Sequence, residues 1–181
     1  MNRWIKILAA TSAATFIAAC GSDDDDSQAP VAAPVSIAET AQGAGLNALV
    51  AAATKAGLVP TLSDDSQNLT VFAPTDAAFT SLATTLGFAD AGAMVDALSA
   101  SDLAKILQFH VLAGRKTAAD LAAAGASQPT LYSFDGSATT LAVNTASGVK
   151  LTDAVLTEAT VSTADVAATN GVVHVIDKVL V

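Results

Sequence analysis

The chain has 181 residues and a formal net charge of −9, with 52% hydrophobic side chains but few aromatics. That length suits one domain with a core of small side chains, and the acidic balance opposes non-specific binding to nucleic acid or anionic lipid. A single cysteine excludes an internal disulfide, and no basic patch with interleaved aromatics points to DNA or RNA.

Arg3 and Lys6 form a positive start, and Ile7 to Ala19 a short apolar stretch. A membrane span needs about 20 apolar residues, so residues 1–19 read as an export signal. The stretch ends Phe16-Ile17-Ala18-Ala19-Cys20-Gly21, which resembles the lipobox of bacterial lipoproteins. The resemblance implies cleavage before Cys20 and lipidation of that residue, making the membrane its partner. An ordinary signal peptide that abuts a cysteine is the plainer alternative. From Cys20 onward six basic face seventeen acidic side chains, a net −11. Residues 20–34 hold Asp23 to Asp26, Pro30 and Pro34, so they read as an extended, self-repelling tether. Four adjacent aspartates lack the glycine turn and spaced ligands of a calcium loop. Gly21, a non-acidic neighbour of Cys20, resembles the outer-membrane sorting pattern of enteric lipoproteins, with surface and periplasmic orientations both open.

Ser36 to Glu39 matches a capping box and opens a helix. Gly43 and Gly45 interrupt its face, Leu46, Leu49, Val50 and Ala53 resume it, and Gly57 ends it. Leu69 to Phe79 reads as a strand, a proline stop and a helix start. Val71 and Phe72 point to opposite faces, Pro74 leaves the ladder, Thr75 caps, and Asp76 sits on the helix's positive end. Phe79, Leu82, Ala83 and Leu86 form the apolar stripe of that helix. Ala91 to Leu98 is a short helix with Met94, Val95 and Leu98 inward. Ser101-Asp102 caps the next, whose stripe is Leu103, Ile106, Leu107 and His110. His110 to Ala113 leaves as a strand, and Thr117 to Asp120 caps a short helix ending at Gly125.

From Pro129 the pattern turns to strands: Thr130 to Phe134, Thr139 to Val143, Val149 to Leu151 and Ala159 to Val161, with turns at Asp135-Gly136 and Ser147-Gly148. Asn170-Gly171 is a turn signal, and Val172 to Val181 is almost continuously apolar, as in a strand covered on both faces. Helices first and strands later predict an α+β domain over residues 35–181.

Thr70-Val71-Phe72-Ala73-Pro74-Thr75-Asp76-Ala77-Ala78-Phe79 resembles the first signature of fasciclin domains. Asn170-Gly171-Val172-Val173-His174-Val175-Ile176-Asp177-Lys178-Val179-Leu180 resembles the second. Leu107 to Gly114 sits where that family carries a Tyr-His motif, with Phe109 replacing the tyrosine. The resemblance implies a single wedge of twisted strands and short helices. It also implies adhesion or recognition of a polysaccharide or protein partner at the cell envelope, no catalysis and no cofactor. Phe109, His110 and Val111 become the candidate recognition residues.

Each has a plainer reading as well. His110 closes an apolar stripe and His174 shares a face with Val172, Ile176 and Leu180, so both suit satisfied core histidines. Asp76 is explained by its own helix start, and Asp177 needs a partner if buried. Two alternatives remain: a periplasm-facing lipoprotein that stabilises a partner, and a metal-dependent or hydrolytic enzyme. Against the second stand the missing G-x-S-x-G, H-E-x-x-H and phosphate-loop patterns and the wide spacing of the two histidines.

Overall fold

The structure is a computed structural model describing residues 35–146, 148–153 and 158–181. The expected leader, Cys20 and tether lie outside these residues, as does Ser147 of the expected turn. The first half gives α1 (Ile37–Gly43), α2 (Asn47–Lys55), α3 (Val59–Leu62), β1 (Leu69–Pro74), α4 (Asp76–Thr85), α5 (Ala91–Ala97) and α6 (Ala100–Phe109). The second gives β2 (Val111–Ala113), α7 (Ala118–Ala123), β3 (Ser127–Phe134), β4 (Ser137–Asn144), β5 (Lys150–Thr152), β6 (Glu158–Ala168) and β7 (Gly171–Ile176). This is the α+β arrangement that the sequence predicts.

The strands close into a barrel in chain order. Neighbours pair antiparallel except at one seam, where β1 and β7 run parallel from Leu69↔Gly171 to Pro74↔Ile176. Parallel neighbours need a long crossover, and here everything between the two strands supplies it. The two signature stretches are therefore bonded to each other. The expected wedge of twisted strands takes the form of a closed barrel, whose main-chain edges are paired.

Every residue of β1 is buried, because the strand separates two cores. Leu69, Val71 and Ala73 pack with Ile37, Leu49, Phe79, Met94 and Leu103 from the helices. Phe72 turns the other way, into the barrel, with Leu112, Leu141, Leu151, Ile176 and Leu180. The period-two alternation of a strand thus serves both cores at once.

Several boundaries differ from the sequence expectation. The β6–β7 loop is Thr169-Asn170, since Ala168 already pairs with Gly171. Gly171 starts β7 and is glycine for a different reason: a Cβ there would lie 1.9 Å from the Leu69 carbonyl oxygen. β7 ends at Ile176, and the apolar run beyond it leaves the ladder. β6 runs on to Ala168 through polar Ser162 to Asp165, where register shifts and a left-handed Asp165 (φ 59°) mark bulges that hide the strand from a propensity reading. Leu86 is the C-cap of α4 and exposed rather than part of its buried stripe. The cap of α6 is Ser99, two residues earlier than expected, with Asp102 donating its N–H to the Ser99 hydroxyl at 3.1 Å.

Replacing Gly171 by alanine forces the β1–β7 seam apart at its first pair. We expect Gly171→Ala to lose more than about 3 kcal/mol in urea unfolding; a loss below about 1 kcal/mol would contradict the packing described.

Candidate functional site

At the starting end of the seam, Asn170 is fully buried. Its Oδ1 accepts from the Ile37 N–H at 2.9 Å, and its Nδ2 donates to the carbonyls of Leu62 (2.8 Å) and Asp64 (3.3 Å). One amide side chain therefore ties α1, the end of α3 and the start of β7. Beside it the Thr169 N–H donates to the Val35 carbonyl at 2.9 Å, pinning the point where the chain enters the domain.

At the other end of β1, the Thr75 hydroxyl accepts from the Ala78 N–H at 3.2 Å, and Phe79 is buried in the helical core. Asp76 does more than sit on its own helix. Its Oδ1 accepts from the Ala48 N–H at 2.9 Å and its Oδ2 from the Asn47 side chain at 3.2 Å. The N-cap position of α2 is Leu46, which offers no side-chain acceptor, so Asp76 caps α2 across space. Nothing in local spacing signals this, because the partner lies on another helix.

His174 and Thr70 hold the loop after β2. His174 is fully buried and stacks on Phe72, its partner in the seam, with ring centroids 5.5 Å apart. Its Nδ1 accepts from the Asp165 N–H at 3.3 Å and its Nε2–H donates to the Lys116 carbonyl at 3.0 Å, so the contacts define a neutral tautomer. The Thr70 hydroxyl donates to the Gly114 carbonyl at 2.7 Å and accepts from the Lys116 N–H at 2.8 Å. Asp177 is exposed, on the surface side of the chain, and accepts from the Thr160 N–H at 2.7 Å.

The candidate recognition residues Phe109, His110 and Val111 are all buried. His110 ends α6, donates from Nδ1 to the Ile106 carbonyl (2.7 Å) and accepts at Nε2 from the Leu180 N–H (2.9 Å). Both ring nitrogens are used inside the protein, which leaves the imidazole no valence for an outside ligand. Burial pushes its pKa down to about 4, against the opposing pull of the Ile106 carbonyl and the Asp153 carboxylate.

Phe109 nevertheless reaches a surface feature. A groove of about 470 Å³ is lined by Ile106 and Phe109 on one side, Tyr132, Thr139 and Thr140 on another, and Leu180 and Val181 at its end. Its floor is apolar, Tyr132 is half-buried, and Lys105 stands at the rim, paired with Asp102 at 3.3 Å. The sequence points to the Phe109 side of this groove; it predicts strands at Thr130 to Phe134 and Thr139 to Val143 but carries no sign that they line it, because residues from distant strands meet only once the barrel closes. Among the described residues no group of three or more histidine, cysteine, aspartate or glutamate side chains is placed to hold a metal, and no helix is long and apolar enough to cross a membrane.

A model of the fasciclin domain matches residues 44–181. Two proteins of Synechocystis sp. are similar to this chain. Protein sll1483 is 38% identical over 158 residues, 85% of this chain and 77% of its own length. Uncharacterized protein sll1735 is 37% identical over 133 residues, 73% and 86% respectively. A solved structure described as a FAS1 domain pair from the insect cell adhesion molecule Fasciclin I matches with a TM-score of 0.55 and 24% identity. It covers 77% of this chain and 46% of the pair, so the chain spans about half of that protein and shares its fold.

Two outcomes follow for His110 and Asp76. His110 is neutral in the fold, while the unfolded chain takes up its proton below about pH 6.5. Its contribution to stability is therefore complete above pH 6.5 and lost as pH falls towards 4, by about 3 kcal/mol. Urea midpoints across that window should show the loss, and a His110→Gln chain should show a flatter one. Asp76→Ala should cost about 1–2 kcal/mol through the uncapped α2, with Asp76→Asn milder because an amide oxygen still accepts; equal unfolding midpoints for all three chains would contradict the cross-helix cap.

Proposed function

This chain belongs to the fasciclin-domain family, and on that premise we propose that it is a lipid-anchored, non-catalytic recognition module of the cell envelope that grips its partner in the groove beside Phe109. The observation that carries this reading is the position of that groove. The chain enters the domain at Val35, held by Thr169 at the starting end of the seam. β7 then runs away from that point, and Leu180 and Val181 reach the groove only beyond its far end. A tether joined at Val35 would thus attach away from the groove.

The groove's chemistry supports recognition of an extended polymer. Apolar walls, the Tyr132 ring and the threonine hydroxyls suit a polysaccharide or a protein segment that presents apolar and polar groups by turns. Phe109 replaces the family tyrosine without a hydroxyl, so contact on that side is apolar. We place the module at the outer membrane and read adhesion as its role. The family is one of adhesion modules, and the insect protein sharing the fold is a cell adhesion molecule.

The test is a binding screen of the tether-bearing protein against polysaccharides, matrix proteins and envelope extracts. Tyr132 is the single tyrosine of the chain, and the single tryptophan lies in the leader, so its fluorescence reports directly on the groove. Tyr132→Ala and Thr140→Arg should each weaken binding at least about tenfold, or about 1.4 kcal/mol, with the unfolding midpoint little changed for the exposed Thr140 position. Binding that ignores both substitutions contradicts the groove. Protease shaving of intact cells should remove the domain, whereas digestion only after the outer membrane is opened would favour a periplasmic role. Cys20→Ser should leave the membrane fraction or remain unprocessed.

A further inference from the structure

Beyond β7 the chain makes a short apolar strap that ends the barrel. Leu180 is fully buried with Phe72, Phe109 and Leu112, Val179 is buried in the helical core, and Leu180 and Val181 form the end wall of the groove. Among the described residues its main chain is held in an unusual way. The ladder stops at Ile176, the Asp177 N–H still donates to the Thr160 carbonyl at 3.1 Å, and further on the N–H groups of two successive residues are received by titratable side chains. Leu180 N–H donates to His110 Nε2 at 2.9 Å, and Val181 N–H donates to Asp153 Oδ2 at 3.1 Å. Both acceptors are buried, His110 at 1% and Asp153 at 5% exposure.

We propose that the strap from Asp177 to Val181 is an acid-released latch on the groove, held shut by His110 and Asp153. The inference rests on the groove being the recognition site, and it adds how that site is regulated. A proton arriving at Nε2 occupies the lone pair that Leu180 uses, and two N–H groups then face each other. The imidazolium instead attracts the Asp153 carboxylate, whose charge already acts on the ring. That attraction competes with Val181 for the same oxygens, so one proton weakens both bonds to the strap. Nδ1 stays on the Ile106 carbonyl throughout, which keeps the ring seated in α6.

Few other charged groups bear on His110. On its own helix Asp102 and Lys105 are exposed and pair with each other. β1 and β2 present Phe72, Val111 and Leu112. Across the groove, β3 brings Tyr132. On the strap itself Asp177 and Lys178 are exposed, and Asp177 is engaged with Thr160. Asp153 is thus the charge that tunes the latch. Release removes the groove's end wall and uncovers the Phe109 side of the barrel core, so partner binding becomes weaker in acid while the barrel persists.

The test follows backbone amide signals of the full-length, isotope-labelled chain in detergent from pH 7 to 3. Leu180 and Val181 should lose exchange protection together, by up to about tenfold per pH unit, as pH falls from about 6.5 towards 4. Leu69 and Thr75, which donate to the Asn170 and Ile176 carbonyls across the seam, should hold their signals in that range. Asp153→Asn keeps an acceptor for Val181 but removes the charge, so the Leu180 transition should move to lower pH. His110→Gln should abolish the transition. If Leu180 stays protected until Leu69 and Thr75 are lost, or if Asp153→Asn leaves its midpoint unmoved, the latch is overturned. These signals need no partner, so failure to capture one would count against the groove and not against the latch.

Discussion

The parallel pairing of β1 with β7 is the constraint on which the rest of this domain depends. It joins strands from opposite ends of the domain, closes the barrel and places the wall between its two cores. Long-range parallel pairing brings no local reward while it forms, since loop-closure entropy comes first. The sequence meets that cost with a strand buried on both faces, a glycine where the backbones touch and the Phe72–His174 stack at mid-seam. Asn170 fixes the register at one end by bonding groups outside the ladder, and at the other the Thr75 N–H donates across the seam to the Ile176 carbonyl.

The buried polar side chains share one logic. Thr70, His110, Asn170 and His174 are each almost wholly buried, and each bonds main-chain groups of at least one other segment, His110 spending its Nδ1 on its own helix. A buried polar group costs free energy unless it is bonded and fixes a single geometry when it is. These residues therefore specify where loops sit around the barrel, and His110, through Leu180, places one wall of the groove. The proposed recognition surface is built mainly from side chains outside the signature stretches. Of the two signature stretches only Leu180 lines the groove, where it meets Phe109 of the Leu107–Gly114 stretch.

Much of this was legible in the sequence. The capping boxes at Ser36 and Thr117, the corner at Thr75 and the strand character of Val71 and Phe72 are local, and local chemistry reports them. The two signature stretches carried the fold class. What escaped was non-local or irregular. Asp76 caps a helix that sequence spacing does not connect to it. Gly171 signalled a turn but answers to a carbonyl on another strand. Ser162 to Asp165 reads as a loop because bulges and a left-handed aspartate interrupt its alternation. The groove itself has no linear signature, since Phe109, Tyr132 and Leu180 meet only after closure.

The most direct test of the central claim is native-state hydrogen exchange at the seam. The Leu69 and Thr75 amides should exchange only through global opening, with one common free energy equal to that of urea unfolding. Exchange of either amide through a markedly cheaper local opening, with the helical core still protected, would show that β7 can leave β1 while the domain stays folded and would contradict the account.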